Sequence, residues 1–333
     1  MQFSESKQIL ITGCYRSGTE YIANILNDHP KIAAASYITN FMRYYYGNFG
    51  VSGQNLNRIS LLESASKTIK QRWNRTLDVD TVIDNLSMMK DINYGDIYDA
   101  MMQQLVLKGT GKSIWAEKTQ LVWRKVPDFL EMFPQGKVII VIRDPRSVLA
   151  SFKHVTNAPP PLYLGAIFNM FDVMKKGRQF SDIYEGRVCM IKFEDTLVHF
   201  ESTIVDLIKF VDNNLNSDFT INSSQWKTTS GNKWRSNSSF DISENPASFD
   251  KIDAIERWKK HLDSWEVSIC EEVNSKNMQY YGYQLSSGLR KFNLDSLQCP
   301  VISKYYREWK ENEKGIEEFP SDPLDPKNWN KSK

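Results

Sequence analysis

Apolar runs alternate with stretches of helical periodicity along most of the chain. Continuous apolar runs stand at Ile9–Ile11, Val138–Ile142 and Val188–Ile191, with weaker ones at Lys31–Ala35 and Ser113–Lys118. Such runs are typical of parallel strands, which are buried on both faces. Apolar residues at helical spacing follow them and predict covering helices. The alternation therefore predicts one α/β domain, a central parallel sheet flanked by helices.

Two segments depart from this alternation. Between residues 52 and 112 the apolar positions recur at helical spacing, which predicts a helical insertion, and Asp96 is a candidate N-cap there. We expect the domain to span residues 1–285 and to close with amphipathic helices, the first over Ile252–Leu262. Residues 286–333 then form a C-terminal extension with a polar, proline-containing tail that we expect to be poorly ordered.

Composition restricts the possible partners and compartments. The 42 basic and 40 acidic residues nearly balance, so nucleic acid binding gains no support. The four cysteines are scattered, and neither they nor the four histidines show metal-ligand spacing, so we expect no metal. Neither a signal peptide nor a membrane-spanning run is evident. We therefore expect a cytoplasmic enzyme with no membrane span, and the oligomeric state stays open.

The segment from Gly13 to Gly18 joins the first predicted strand to the first predicted helix. A small, glycine-bounded turn at this place presents backbone N–H groups and a helix N-terminus to an anion. A nucleoside-triphosphate P-loop has lysine directly after its second glycine, but here Thr19 and Glu20 follow Gly18. The cation is Arg16, inside the loop. A P-loop nucleotide kinase stays an alternative, and it would need Mg²⁺ and the missing lysine.

Two motifs carry a family resemblance. The loop sequence Y-R-S-G-T resembles the 5′-phosphosulfate loop, [KR]-S-G-T, of sulfotransferases that use 3′-phosphoadenosine-5′-phosphosulfate (PAPS). The run from Arg143 to Ser151 matches their R-[DN]-P-x-[DS]-x-x-x-S motif with the same spacing. The resemblance implies that Arg143 and Ser151 bind the 3′-phosphate of PAPS. It also implies contacts to the 5′-phosphosulfate from Tyr15, Arg16, Ser17, Gly18, Thr19 and Glu20.

The resemblance also points to a catalytic strand end. Cytosolic sulfotransferases have K-T-H there, and their histidine is the catalytic base; this chain keeps Lys118 but has Gln120 in place of the histidine. Lys118 and Arg16 would then stabilise the transferring sulfuryl group. The candidate bases that remain are His154 and Glu117. An unperturbed histidine has a pKa of about 6.5, which suits a general base. Alternatively, the acceptor is acidic enough to need no base. A further alternative is that the protein is a nucleotide-binding module that has lost catalysis.

A polar segment near residues 225–240 loosely resembles the family's cofactor-covering loop. Lys227, Lys233 and Arg235 are its candidate phosphate contacts. Taken together, the resemblance implies transfer of a sulfuryl group from PAPS to an acceptor, with a hydroxyl group of a small molecule or glycan expected. The identity of that acceptor is not encoded in any motif of the sequence.

Overall fold

The core of the protein is one parallel sheet. The computed structural model describes residues 7–36, 38–51, 56–155, 160–227, 233–234, 249–286 and 298–319, without the side chains of 154 and 155. The strands are β1 (Lys7–Gly13), β2 (Ile32–Ser36), β3 (Ile114–Lys118), β4 (Lys137–Ile142) and β5 (Val188–Lys192). They are all parallel and lie in the order β2–β3–β1–β4–β5. This confirms the predicted fold class.

Helices connect the strands and cover both faces of the sheet. They are α1 (Thr19–Asp28), α2 (Phe41–Tyr44), α3 (Arg58–Trp73), α4 (Val79–Leu86), α5 (Tyr94–Met102), α6 (Val126–Met132), α7 (Pro145–Val155), α8 (Gly165–Ile183), α9 (Asp195–Val198), α10 (Phe200–Val211), α11 (Lys251–Glu256), α12 (Trp258–His261), α13 (Ser264–Tyr280) and α14 (Pro300–Asn312). In the described ranges, no helix combines the length and the apolar character needed to cross a membrane.

Side-chain alternation along the strands supplies two hydrophobic cores. Leu10 of β1 joins the larger core, which lies under α5–α8, α13 and α14. Its neighbours Ile9 and Ile11 point to the opposite face and join a second core with α1 and α10. All three side chains are fully buried. In the described residues both faces of the sheet are therefore covered, which leaves its ends as the places where a ligand can reach it.

One end of the sheet brings the predicted motifs together. Ile11 pairs with Lys118 between β1 and β3, and Gly13 pairs with Val141 between β1 and β4. Strands β2 and β3 lie on one side of β1 while β4 and β5 lie on the other. Open α/β sheets form a crevice beyond the carboxyl ends of strands where the strand order reverses in this way. The loops after β1, β3 and β4 line that crevice.

The segment between β2 and β3 is helical, as α3, α4 and α5. The predicted N-cap Asp96 is wrong, because Asn93 caps α5 instead. The Asn93 side chain accepts hydrogen bonds from the N–H groups of Gly95 (2.7 Å) and Asp96 (3.2 Å). Asp96 accepts the N–H of Asn93 at 2.8 Å and so completes a capping box from the third helical position. Asn93 is the cap because it precedes the first helical residue, where its side chain can accept the N–H groups of the first turn.

The C-terminal part differs in detail from the sequence prediction. The helix predicted over Ile252–Leu262 is divided at Arg257 into α11 and α12. Helix α14 packs on the larger core through Ile302 and Tyr305, both almost fully buried. The end of the described chain follows it, with Phe319 against Phe152 at a ring-centroid distance of 4.9 Å. The tail predicted to be poorly ordered lies outside the described residues from 320 onward.

Candidate active site

The loop between β1 and α1 forms one wall of the crevice. Ser17 closes this loop on itself, because its hydroxyl donates a hydrogen bond to the carbonyl of Cys14 at 2.7 Å. Gly18, at φ +96°, is the N-cap of α1 and has no side chain to cap the helix. A Cβ at Gly18 would lie 2.3 Å from the Phe193 ring, so no other residue fits without displacing that ring. The first N–H groups of α1 therefore have no side-chain cap from Gly18 and suit an anion.

Direct hydrogen bonds join the two predicted motifs. Arg16, itself in a left-handed conformation at φ 67°, donates from Nε to the Ser151 hydroxyl at 2.9 Å. Arg143 donates from Nη1 to the carbonyl of Arg16 at 2.9 Å and from Nη2 to the carbonyl of Ala254. The adjacency of β1 and β4 places all three predicted residues at one point of the crevice.

Arg143 is a buried cation with part of its hydrogen-bonding capacity unused. Its side chain is 6% exposed, and its guanidinium lies 4.7 Å from the centre of the Phe193 ring. Burial lowers the pKa of Arg143 to about 10, so it still carries its charge at neutral pH. Within the described part of the chain, Arg143 Nε has no hydrogen-bond partner. An anionic ligand atom would satisfy that donor.

Lys118 enters the crevice from β3. It is fully buried, and its amine lies 2.5 Å from a carboxylate oxygen of Glu20. Burial lowers the pKa of Lys118 to about 8, although the Glu20 carboxylate opposes this shift. Gln120, two residues on, donates to the Thr19 hydroxyl at 2.7 Å. The strand end and the anion loop are thus held together by contacts from both predicted motifs.

Glu117 lies on the other side of β3 from Lys118, as strand alternation requires. Its carboxylate accepts hydrogen bonds from the N–H of Thr39 (2.6 Å), the N–H of Asn40 (2.9 Å) and the hydroxyl of Tyr98 (2.6 Å). The Thr39 hydroxyl adds two further contacts at 2.8 and 3.0 Å. Glu117 is fully buried and is not among the residues that line the crevice. Its geometry is that of a carboxylate that fixes the chain after β2.

The other candidate base and the C-terminal loop are only partly described. His154 belongs to α7, three residues after Ser151, and its side chain lies outside the described atoms. Lys227 and Lys233 form an isolated antiparallel bridge, and both are exposed. Neither lysine lines the crevice. Arg235 lies outside the described residues.

Aromatic side chains form a recess beside the loop that the sequence motifs do not indicate. Tyr21 of α1 stacks on Phe249 with centroids 6.3 Å apart and planes 9° apart, and meets Phe193 edge-on at 5.8 Å. Trp234 contacts Tyr21 at 6.3 Å. These rings and Ala254 line the same crevice as Arg16, Lys118 and Arg143. Trp234, one of two tryptophans in the polar 225–240 segment, was the available signal for this recess.

The crevice can therefore hold an anionic ligand with a flat apolar part. Three cationic side chains (Arg16, Lys118 and Arg143) and a helix N-terminus face one carboxylate, Glu20. The described residues contain no group of three or more histidine, cysteine, aspartate or glutamate side chains placed to hold a metal ion. The cations and N–H groups of the described residues can stabilise negative charge in this crevice.

Comparisons with known proteins identify the family and the fold. A model of the sulfotransferase family matches residues 8–217, which is more than half of the chain. The sulfotransferase domain from the curacin biosynthetic pathway is similar in fold, with a TM-score of 0.50 and 15% identity, and the match covers 84% of this chain and 99% of that chain. The sulfotransferase from Alicyclobacillus acidocaldarius has a TM-score of 0.44 and 11% identity, over 85% of this chain and 99% of that chain.

Mouse sulfotransferase SULT7A1, complexed with PAP, has a TM-score of 0.42 and 13% identity, over 83% of this chain and 86% of that chain. A search of curated proteins finds no significant match. The family match includes the anion loop, the Lys118 strand end and the Arg143–Ser151 motif, and it runs from β1 through α10. The chain belongs to the sulfotransferase family.

Proposed function

We propose that the protein transfers the sulfuryl group of PAPS to an acceptor hydroxyl group and leaves 3′,5′-bisphosphoadenosine (PAP). The observation that carries this proposal is the meeting of Arg16, Ser151 and Arg143 at one end of the crevice. A nucleotide that contacts both the anion loop and the Arg143–Ser151 motif needs one phosphate group on its 5′ side and another on its 3′ side. ATP and GTP have no 3′-phosphate that could contact Arg143 and Ser151.

The residues present fit each part of the donor. The uncapped first turn of α1 and Arg16 suit the 5′-phosphosulfate. The unused Nε of Arg143 and the Ser151 hydroxyl suit the 3′-phosphate. The recess of Tyr21, Trp234 and Phe249 suits the purine, because a flat aromatic group gains from stacking and from burial.

Cations around the scissile bond supply the catalytic electrostatics in this proposal. During transfer the bond between sulfur and the bridging oxygen breaks, and negative charge grows on that oxygen. Lys118 and Arg16 place positive charge in the crevice, and the N–H groups of α1 add donors that need no reorganisation. Because Lys118 is fully buried, its charge is little screened by water.

Hydroxyl-bearing small molecules and glycans are the acceptors we propose. Tyr15 lines the crevice next to Arg16, and its hydroxyl accepts a hydrogen bond from Arg43 at 2.8 Å. Lys125 donates from its amine to the carbonyl of Met42, the residue before Arg43, at 2.6 Å. Polar and cationic groups on this side of the loop favour a hydroxyl-rich or anionic acceptor over an apolar one.

Calorimetry with PAP and ATP, each with and without EDTA, tests the donor. We expect PAP to bind much more tightly than ATP and independently of EDTA. Tighter ATP binding that EDTA abolishes would instead support the nucleotide kinase. Incubation with radiolabelled PAPS and a panel of phenols, sugars and lipids then identifies the acceptor, and PAP binding without transfer to any of them, or to water, would support a binding module.

A further inference from the structure

Glu20 occupies an unusual position for a carboxylate. It is the second residue of α1, beside the loop that we propose binds the anionic donor. Among the described residues that line the crevice, Glu20 is the sole carboxylate, and no histidine or cysteine accompanies it. The lining residues are Tyr15, Arg16, Gly18, Thr19, Glu20, Tyr21, Lys118, Gln120, Arg143, Phe193, Trp234, Phe249 and Ala254.

Other groups at the β3 end of the crevice do not offer a base. Gln120 cannot accept a proton at its amide and is already held by Thr19. Glu117 faces away from the crevice and accepts hydrogen bonds from Thr39, Asn40 and Tyr98. Withdrawing Glu117 for catalysis would leave those buried donors without partners, which is costly.

The contact between Glu20 and Lys118 orients this carboxylate. The Lys118 side chain is fully buried and the Glu20 side chain is 13% exposed, so solvent reaches the carboxylate end of the ion pair. The ion pair fixes the position of the Glu20 carboxylate, whose oxygens are hydrogen-bond acceptors. If that proton arrives, the carboxylate becomes neutral and the full charge of Lys118 is available to the leaving oxygen.

We propose that Glu20 is the general base of the sulfuryl transfer, an inference that rests on the proposed function. The acceptor O–H bond breaks and its proton passes to a carboxylate oxygen of Glu20. The acceptor oxygen forms a bond to sulfur while the bond from sulfur to the bridging oxygen breaks. PAP leaves with that bonding electron pair, so no oxidant or reductant is required.

This assignment makes a prediction that a structural role for Glu20 does not share. A carboxylate beside an anion loop repels the phosphate groups of the donor. Removing its charge should therefore leave PAP affinity unchanged or raise it, while the transfer step slows. A glutamate that merely holds Lys118 in place would, when replaced, weaken PAP binding and transfer together.

The test compares Glu20→Gln with the wild type and with Glu63→Gln, a matched change on the exposed face of α3. Calorimetry measures PAP affinity, and single-turnover reactions with radiolabelled PAPS measure transfer to water and to any acceptor found in the screen. We expect Glu20→Gln to bind PAP at least as tightly as the wild type and to transfer roughly 100-fold or more slowly, in the range for loss of a general base. Glu63→Gln should match the wild type in both measurements.

Two outcomes would overturn the proposal. They are a Glu20→Gln rate within about threefold of the wild type and a loss of PAP affinity as large as the loss of rate. If Glu20→Gln does not fold, Glu20→Asp keeps the charge but withdraws the carboxylate by one methylene, and an unchanged rate in that variant would also overturn it. Failure of the wild type to bind PAP would instead refute the proposed function itself.

Discussion

Replacing Arg143 by alanine should separate recognition of the 3′-phosphate from general binding of the nucleotide. In the structure the Arg143 guanidinium contacts two backbone carbonyls and the Phe193 ring, and its Nε donor has no partner among the described residues. We expect the alanine variant to lose most of the preference for PAP over AMP, which lacks the 3′-phosphate.

The size of the effect follows from the burial of this charge. A pKa lowered from 12.5 to about 10 corresponds to a burial cost of about 3 kcal/mol. A phosphate oxygen on Nε would offset part of that cost, and a charge-assisted hydrogen bond contributes about 1.5–3 kcal/mol. The affinity for PAP should therefore fall by roughly 10- to 150-fold. The affinity for AMP should change by less than about threefold.

Isothermal titration calorimetry with both nucleotides measures these changes. Arg187→Ala is the matched control, since Arg187 also donates to backbone carbonyls, those of Leu130 and Phe133, and is not among the residues that line the crevice. It should lower the melting temperature without changing the ratio of PAP to AMP affinity. Equal losses for PAP and AMP in Arg143→Ala would refute the reasoning and make Arg143 a scaffold residue.

Four further residues, Gly18, Glu117, His154 and Lys118, give separate tests. Gly18→Ala places a Cβ 2.3 Å from the Phe193 ring at φ +96°, so both the melting temperature and PAP affinity should fall in calorimetry; an unchanged protein would contradict the tight loop. Glu117→Gln should lower the free energy of unfolding in urea by about 2–4 kcal/mol, because it weakens a buried hydrogen-bond network. The single-turnover rates of Glu117→Gln and His154→Ala should both stay within a few fold of the wild-type rate. A 100-fold loss of rate in either variant would identify that residue as the base. Burial lowers the pKa of Lys118 from 10.5 to about 8, so the unfolded chain binds this proton more tightly and stability should rise by about 3 kcal/mol between these pH values. Lys118→Met should lack this rise in urea titrations, and an identical rise would contradict the assigned pKa.

The strands and the anion loop were predictable because each depends on local sequence. Parallel strands buried on both faces are continuous apolar runs, and all five runs became strands. The loop needs glycine at φ +96° and a cation nearby, which fixes residue types at close spacing. The position of a helix cap was less predictable, since Asn93 and Asp96 both hydrogen-bond to the same turn and only geometry decides which is the cap.

The crevice was less predictable because it is assembled from distant segments. Phe193, Trp234 and Phe249 reach Tyr21 only through the packing of the segments after β5. The role of a polar residue depends on the face of the sheet to which its side chain points. Strand alternation places the side chains of Glu117 and Lys118 on opposite faces, in different surroundings. Which carboxylate meets the crevice, Glu20 or Glu117, is therefore a property of the tertiary structure.

The path of the C-terminal chain sets a practical limit on shortening this protein. The family match ends at residue 217, but the described chain continues to wrap the same helices. Asn169 of α8 donates to the carbonyls of Ile316 (3.0 Å) and Glu318 (3.2 Å), and the Phe319 ring packs on Phe152, the residue after Ser151. A protein truncated at residue 217 would lose the contact of Phe319 with α7, the helix that carries Ser151. It would also lose the Ala254 carbonyl that accepts a hydrogen bond from Arg143. Recombinant versions and fusion joints should therefore lie beyond Phe319.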